Sequence, residues 1–540
     1  MPTDEPAGIA ASELRRDVSV WGSYMWGYAA VGADIYTALG IIVLAALGLS
    51  PLAFGAAGLV FALVGLCYAE LASAYPIAGG GQYFTLRGMG DFMGLLAGSA
   101  LVLDYTIDIS LFTVFTMGYL NYFIPLVTGG HAHALDFIVN VPHTDIHIAW
   151  LWLAETLGGI VLLIWLNVRG IRISTGFNEL LGTIAIIAQV VVVVAGFVLV
   201  WNPSLLANEL VHHQPSLGQF AYGSSLAIIA FVGLETISQV AQETRRPATI
   251  IPRTSIGLIL SVLLFAMAFS ILAVGMPDQA TGGVLNFKGH EGDPVALIAQ
   301  NIPLIGPVAA PVAAIIGVFI VYISANSGVV SSSRLSYSMS QFRLLPEWFA
   351  KVHGRYKTPA RAIIVFSGIA IIQALFAFLA PGKPGETEAI NILADLYAFG
   401  ATFGYALVFI SLIVLRFRDP FTPRPYRMPL NVDISYRGRT VAFPVLGVVG
   451  LIGIVAFLLA VVGTHHYARI VGPLWVLIAI GIYLLYRRRL GFPAFRSLPR
   501  DWEAAQKRVL EEAEEFKSLE EYEAALTERD AGAGPAKEST

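Results

Sequence analysis

Val31-Gly32-Ala33-Asp34-Ile35-Tyr36, with Gly40 one turn on, sits in the middle of an apolar run covering about residues 22–48. A run of that length fits a bilayer core of about 30 Å. A glycine and an ionisable aspartate at its centre do not fit a helix wrapped in lipid, because hydrocarbon offers neither backbone groups nor a charge any partner. The helix is therefore expected to break there and to face protein or a water-filled cavity. A second stretch repeats the offence. Phe231-Val232-Gly233-Leu234-Glu235 lies in the sixth apolar run, five runs later. Breaks at corresponding positions of two halves point to a mid-membrane site between inverted repeats.

Working outward, the 540 residues are 56% hydrophobic and 13% charged, with a mean hydropathy of +0.70. That charge fraction is about half of what a soluble domain carries. We read about 12 spans, at 22–48, 51–74, 91–125, 148–167, 174–200, 219–241, 252–275, 305–340, 360–379, 389–416, 443–463 and 469–487. Arginine and lysine crowd one side: Arg15, Arg16, Arg87, Arg169, Arg172, Arg245, Arg246, Arg253, Lys351, Arg355, Lys357, Arg361, Arg416, Arg418, Arg424, Arg427 and Arg487 to Arg489. The other side has little beyond Lys288, Lys383 and Arg469. The positive-inside rule then puts both termini in the cytoplasm.

The chain divides into a cytoplasmic N-terminal segment (1–20), a transmembrane domain (21–490) and a cytoplasmic tail (491–540). In the tail, Trp502, Ala505, Val509, Ala513, Phe516, Leu519 and Leu526 recur at helical spacing within a Glu-rich stretch. This reads as one acidic amphipathic helix over 500–528 that packs on the basic loops, followed by a disordered end. The net charge of −4 is small and argues for no particular partner, and no concentrated basic face is visible, so a nucleic-acid partner is not expected. Cys67, the lone cysteine, is read as a packing residue in the second span. Nine of the 10 histidines fall on the side opposite the arginines: His131, His133, His143, His147, His212, His213, His290, His465 and His466. Their spacings match no metal-ligand pattern, and we read them as polar residues tolerated where Lys and Arg are excluded. No cofactor or metal is expected.

Four groups of residues, in order, resemble the amino acid–polyamine–organocation (APC) permease superfamily. The first is Val31 to Tyr36. The second is Tyr68-Ala69-Glu70-Leu71-Ala72-Ser73-Ala74-Tyr75-Pro76 with Ala78 to Tyr83. The third is Phe231 to Glu235 with Gln242 to Pro247 and Ile251-Pro252-Arg253, and the fourth Ser333 to Tyr337, Leu344-Leu345-Pro346 and Pro359 to Ala362. The resemblance covers about residues 20–490. It implies an all-α membrane protein with a LeuT-like 5+5 inverted repeat, broken helices 1 and 6, and two peripheral helices. It also implies substrate contacts at Gly32, Ala33, Asp34, Tyr36 and Gly233, and a cytoplasmic gate at Glu70 paired with a cation for which Arg334 and Arg343 are candidates. One departure stands out. Amino-acid-binding members usually have a small residue where Asp34 stands, and a carboxylate there repels a substrate carboxylate.

Asp34, Asp104, Asp108 and Glu235 are acids within spans that lack Lys or Arg at similar depth. Asp104 and Asp108, four apart, share a helix face, so that both being ionised is unfavourable. Asp104-Tyr105, Glu235 and Leu396-Tyr397 partly resemble the cation-site positions of the KimA-type potassium importers within the superfamily, which adds Tyr397 to the expected site. The lysine that some proton-coupled members carry in the fifth helix is missing, with Ile184, Ala185 and Ile186 in that region. The reading is a secondary active, proton-coupled importer of an amino acid or amine in the cytoplasmic membrane, working by alternating access. Potassium import is the alternative within the same superfamily, and a non-transporting nutrient sensor or a passive channel are the alternatives beyond it. An enzyme is not expected: no G-x-x-x-x-G-K-[ST] and no nucleophile–base constellation is present. The resemblance leaves a homodimer open.

Overall fold

The computed structural model describes residues 20–532 apart from 78, 128–137, 142–143, 145, 171–174, 240, 242–243, 245, 280, 357, 382–387 and 437–438. The N-terminal segment, the chain end and, among the loop residues above, Arg172, Arg245, Lys357, Lys383, His131, His133 and His143 lie outside the described residues.

Span 1 is two helices, Val20–Val31 and Ile35–Ala46. Span 2 is Ser50–Ala74, span 3 Asp91–Asn121, span 4 Trp150–Val168 and span 5 Thr175–Leu199. Span 6 starts as Leu217–Leu226, tightens into a 3₁₀ turn at Ala227–Phe231, opens, and resumes for one turn at Thr236–Gln239. Spans 7 to 12 are Pro247–Gly275, Gly306–Gln341, Ala360–Phe378, Ala389–Arg418, Val445–Thr464 and Ala468–Arg489. Among the described residues eleven stretches are long and apolar enough to cross a membrane, and the first, Val20–Ala74, holds 55 residues. At 1.5 Å per residue that is about 80 Å, long enough for two crossings. Leu47, at φ 48°, turns the chain between spans 1 and 2, so the crossings number twelve.

Burial sorts the spans. The apolar window of span 3 is 94% buried, whereas those of spans 11 and 12 are 22% and 17% buried. Span 3 is thus the centre, and spans 11 and 12 present Ile452, Leu459 and Leu477 outward, the side chains a lipid-facing surface needs. Spans also pack in a regular way: 1 against 6, 2 against 7, 3 against 8 and 4 against 9. Span 8 reaches span 3 closely because Gly328 has no side chain; a Cβ there would lie 2.7 Å from the Asp108 Cβ.

Short hairpins close two loops, Ile138–Asn140 with His147–Ala149 before span 4, and Asn431–Tyr436 with Arg439–Pro444 before span 11. The tail forms two helices, Trp502–Glu512 and Phe516–Gly532, rather than the single one expected over 500–528. Glu514 takes a left-handed φ of 57°, and the Glu515 N–H reaches back to the Leu510 carbonyl at 3.0 Å, a helix-ending turn. The second helix then folds back so that Tyr522 and Leu526 pack on Leu510. We call the face that holds these helices the tail face, and the opposite one the far face.

Candidate functional site

Where span 1 opens at Gly32-Ala33-Asp34, the helical ladder ends with Gly32 N–H on the Tyr28 carbonyl at 2.7 Å and gives way to tighter bonds three residues back, Asp34 N–H to Val31 at 3.1 Å and Tyr36 N–H to Ala33 at 2.9 Å. The carbonyls freed by the break are met by side chains, as an apolar interior requires. Ser324 of span 8 donates to the Ala30 carbonyl at 3.1 Å. Gln189 of span 5 donates to the Gly32 carbonyl at 3.4 Å and accepts from the Tyr28 hydroxyl at 2.5 Å. Tyr36 turns its side chain toward Gln189, and its carbonyl accepts from Tyr119 of span 3 at 2.7 Å. The opening of span 6 touches this one. Gly233 has φ +109°, and a Cβ there would sit 3.2 Å from that of Ala30. Only glycine suits both the backbone and the space. A cavity of ≈10 Å³, about the room one water needs, lies beside the break among Tyr28, Val31, Gly32, Ile35, Gln189 and Phe265.

On the other side of the break the acids converge. Asp34 is 0% exposed, Asp104 0%, Asp108 6% and Glu235 1%. Asp108, Glu235 and Asp104 all act electrostatically on Asp34. Glu235 Oε2 accepts from the Tyr405 hydroxyl at 2.6 Å and from the Gly233 N–H at 3.2 Å. Tyr397 faces Asp108. Both carboxylate oxygens of Asp34, both of Asp104, Glu235 Oε1 and the Tyr68 hydroxyl are buried with no hydrogen-bond partner. Buried polar atoms are rarely left so, and each such carboxylate must be neutralised by a proton or a cation. Gly32, Asp34, Asp104, Asp108, Gly233, Glu235 and Tyr397 thus lie together, and Ala33 is buried within the break. Tyr36 stands on the Gln189 side. Among the described residues no group of three or more His, Cys, Asp or Glu is arranged to hold a metal ion.

The site is flanked on both faces by buried ion pairs. Toward the tail face, Glu70 receives Arg416 through Nε and Nη2, each at 2.6 Å, Arg424 at 2.9 Å and the Met428 N–H at 2.8 Å. The partners are therefore Arg416 and Arg424, not Arg334 or Arg343, because the end of span 10 and the chain after it pass beneath span 2. Below this cluster, Arg87 pairs with Asp419 at 2.7 Å, and Gln506 of the tail bonds both Arg87 and the Ala74 carbonyl. Burial alone would push the Asp419 carboxyl up, but Arg87 and Thr422 together hold it below the usual aspartate range. Toward the far face, His465 is 0% exposed, with Nδ1 2.8 Å from Asp395. This corrects the reading of that histidine as a tolerated loop residue.

Twelve crossings, two interrupted spans in contact and a buried polar site between closed faces define a multi-pass membrane transporter. The amino acid permease family matches residues 23–485, and the chain belongs to it. It is similar to the methylthioribose transporter of Bacillus subtilis (strain 168), 26% identical over 89% of this chain and 95% of that protein. It is likewise similar to the branched-chain amino acid permease BcaP of the same organism, 26% identical over 88% and 94%. Cationic amino acid transporter 4 of Mus musculus is 26% identical over 76% of this chain and 61% of its own length. The protein is a transporter rather than an enzyme.

Proposed function

We propose that this protein is a secondary active, proton-coupled importer of an amino acid or amine, moving its substrate across the cytoplasmic membrane by alternating access. The observation that carries the reading is the contact between the two helix breaks, with unpartnered buried carboxylates beside it. Broken helices supply backbone groups to a substrate, and the acids supply a place for a proton or an amino group. Packing of spans 1, 2, 3 and 4 against 6, 7, 8 and 9 supports the LeuT-like inverted repeat, since a pseudo-two-fold axis sets the elements near it beside their counterparts. Arg87, Arg246, Arg355, Arg361, Arg416, Arg424 and Arg487 gather toward the tail face and favour a cytoplasmic position for it. Relatives named for amino acids favour that substrate class.

Proteoliposome uptake tests this. Branched-chain and cationic amino acids, simple amines and Rb⁺ are supplied under an imposed pH gradient. Saturable uptake of an amino compound, faster with acid outside, is expected. Rb⁺ uptake alone would instead establish the potassium reading, which the unpartnered carboxylates also favour. Binding without flux would establish a sensor, and ohmic current a channel.

A further inference from the structure

Span 10 carries another buried acid, outside the carboxylate cluster. Asp395, 4% exposed, precedes Tyr397 by two residues on the far-face side of the span. His465 comes directly after span 11 and reaches it at 2.8 Å through Nδ1. The imidazole Nε2 lies 2.7 Å from Ser225 Oγ of span 6. Tyr222, also of span 6, donates its hydroxyl to the same Asp395 oxygen at 3.2 Å, and its ring lies 4.6 Å from the imidazole centroid. Three spans therefore meet on one histidine.

Charge balance fixes what the pair carries. Ser225 Oγ can donate to the carbonyls of Ala221 and Tyr222, 2.8 and 2.9 Å away, or to Nε2, so the serine leaves the Nε2 hydrogen open. Nδ1 stands 2.8 Å from Asp395 without a hydrogen bond to it. An ionised Asp395 beside a neutral imidazole is a buried charge met only by the Tyr222 hydroxyl, which a dry interior disfavours. The pair is neutral when it holds one more proton, as imidazolium with carboxylate or as imidazole with carboxylic acid.

We propose that His465 and Asp395 form a proton-binding site, separate from the transport-site acids, whose occupancy holds the far face shut by pinning span 6 to spans 10 and 11. Losing the proton leaves Asp395 ionised beside a neutral ring, a buried charge without a counter-ion. Span 6 is then released at its far end. It is the span that bears Glu235 below the break, so closure over the transport site and protonation are linked. The titratable groups around the pair are Tyr222 from span 6, Glu388 just before span 10, which bears on Tyr222 and Tyr467, His466 and Tyr467 before span 12, and Arg469 in its first turn. Arg469 pairs with His466 at 2.9 Å. The far halves of spans 1 and 2, residues 40–46 and 50–64, bring none. That the far face is external rests on the function proposed above.

The test uses the full chain in proteoliposomes and has two arms, neither of which requires transport. In the first, ring-¹⁵N histidine and carboxyl-¹³C aspartate are observed at pH 6, with His465→Gln and Asp395→Asn assigning the signals. An imidazolium beside a carboxylate, or a neutral ring beside a carboxylic acid, is expected. A neutral ring beside an ionised carboxylate overturns the site. In the second, Ile229→Cys, one turn below Ser225 on span 6, is probed by an impermeant thiol reagent from the far side in a Cys67→Ser background. Divided at each pH by the labelling of a freely exposed cysteine, which removes the rise in thiolate, labelling is expected to rise about tenfold or more between pH 6 and 8.5, and the corrected rate to be high and flat with His465→Gln. The same pH profile with and without His465 overturns the lock. Absent uptake of any solute, with both arms as expected, removes the transport reading and leaves this one standing.

Discussion

Glu70 is fully buried and receives four hydrogen bonds, three of them from guanidinium groups. Glu70→Gln keeps the volume but removes the charge, leaving Arg416 buried without its counter-ion, Arg424 with only Asp419, which Arg87 already holds, and the amide nitrogen facing an arginine. Breaking a buried pair by removing one partner costs about 3–5 kcal/mol. The cost falls on the arrangement in which the arginines are dry, and it is relieved wherever the tail face opens and water reaches them. The equilibrium should therefore move toward a tail-open state by about 150- to 5,000-fold. Cys67 is the reporter. It lies one turn before Glu70, is 1% exposed, and has its Sγ 4.0 Å from the Val408 carbonyl of span 10. We expect a small maleimide to leave wild-type Cys67 unmodified over minutes and to label it rapidly in Glu70→Gln, with net uptake lost. Arg424→Gln removes one of the four bonds, worth about 1.5–3 kcal/mol, and should fall between. Circular dichroism and monodispersity separate opening from unfolding. Wild-type protection of Cys67 in both folded variants would refute the assignment of this cluster as a lock.

Four more outcomes are expected. Asp34→Asn should abolish uptake while inserting and purifying normally; wild-type transport would remove Asp34 from the site. Gly233→Ala forces φ +109° on an L-residue and presses a methyl to 3.2 Å from Ala30, at a cost of about 1–3 kcal/mol; a lower melting temperature and lost uptake are expected, and an unchanged protein would mean the break is not tight. Deleting residues 500–540 removes the Gln506 contacts to Arg87 and Ala74; folding and binding should persist while maximal rate changes, and unchanged rate, affinity and pH dependence would make the tail an accessory. Asp419 titrates below the ordinary 3.8, so its pairing stabilises at neutral pH and is lost as pH falls through that lowered value; the melting-temperature gap between wild type and Asp419→Asn should be present at pH 7 and close below about pH 4.

Much of the fold is legible because bilayer thickness sets a one-dimensional rule, apolar length, and all twelve expected spans recur in the structure within a few residues. The breaks at Gly32 and Gly233 are legible for the same reason inverted: they violate that rule. Partners are not legible. Arg416 lies 346 residues from Glu70, and no local pattern joins them. Gln189 is different. A single amide in the run Ile186-Ile187-Ala188-Gln189-Val190 carries the same warning as an intramembrane acid, milder in size, and attention to charge alone passes over it. Asp395 is plainer still. It falls inside the span expected over 389–416, so the in-span acids number more than the four singled out. Asking what neutralises it leads to the cation-poor far face, where His465 is among the few groups able to do so.

Span 10 ties these levels together. Asp395 meets His465 at its far end, Tyr397 and Tyr405 face Asp108 and Glu235 in its middle, and Arg416 holds Glu70 at its other end. From 395 to 416 is about 32 Å of continuous helix, with no proline inside it. A straight helix cannot relax at one end and hold at the other without tilting, so the two locks share one rigid body. Gly400 makes that body's pivot close: a Cβ there would lie 3.1 Å from the Asp104 N atom of span 3. Tilting about this contact would draw one end of span 10 toward its lock as the other departs, and Tyr397 and Tyr405, on either side of Gly400, would shift oppositely against the two acids they touch. Gly400→Ala should therefore disturb both locks at once, raising Cys67 labelling on the tail face and Ile229→Cys labelling on the far face in the same protein. Breaking one lock alone, which leaves the pivot intact, should instead raise labelling on its own face and lower it on the other. If Gly400→Ala changes a single face, the locks are independent and span 10 is a scaffold that both happen to use.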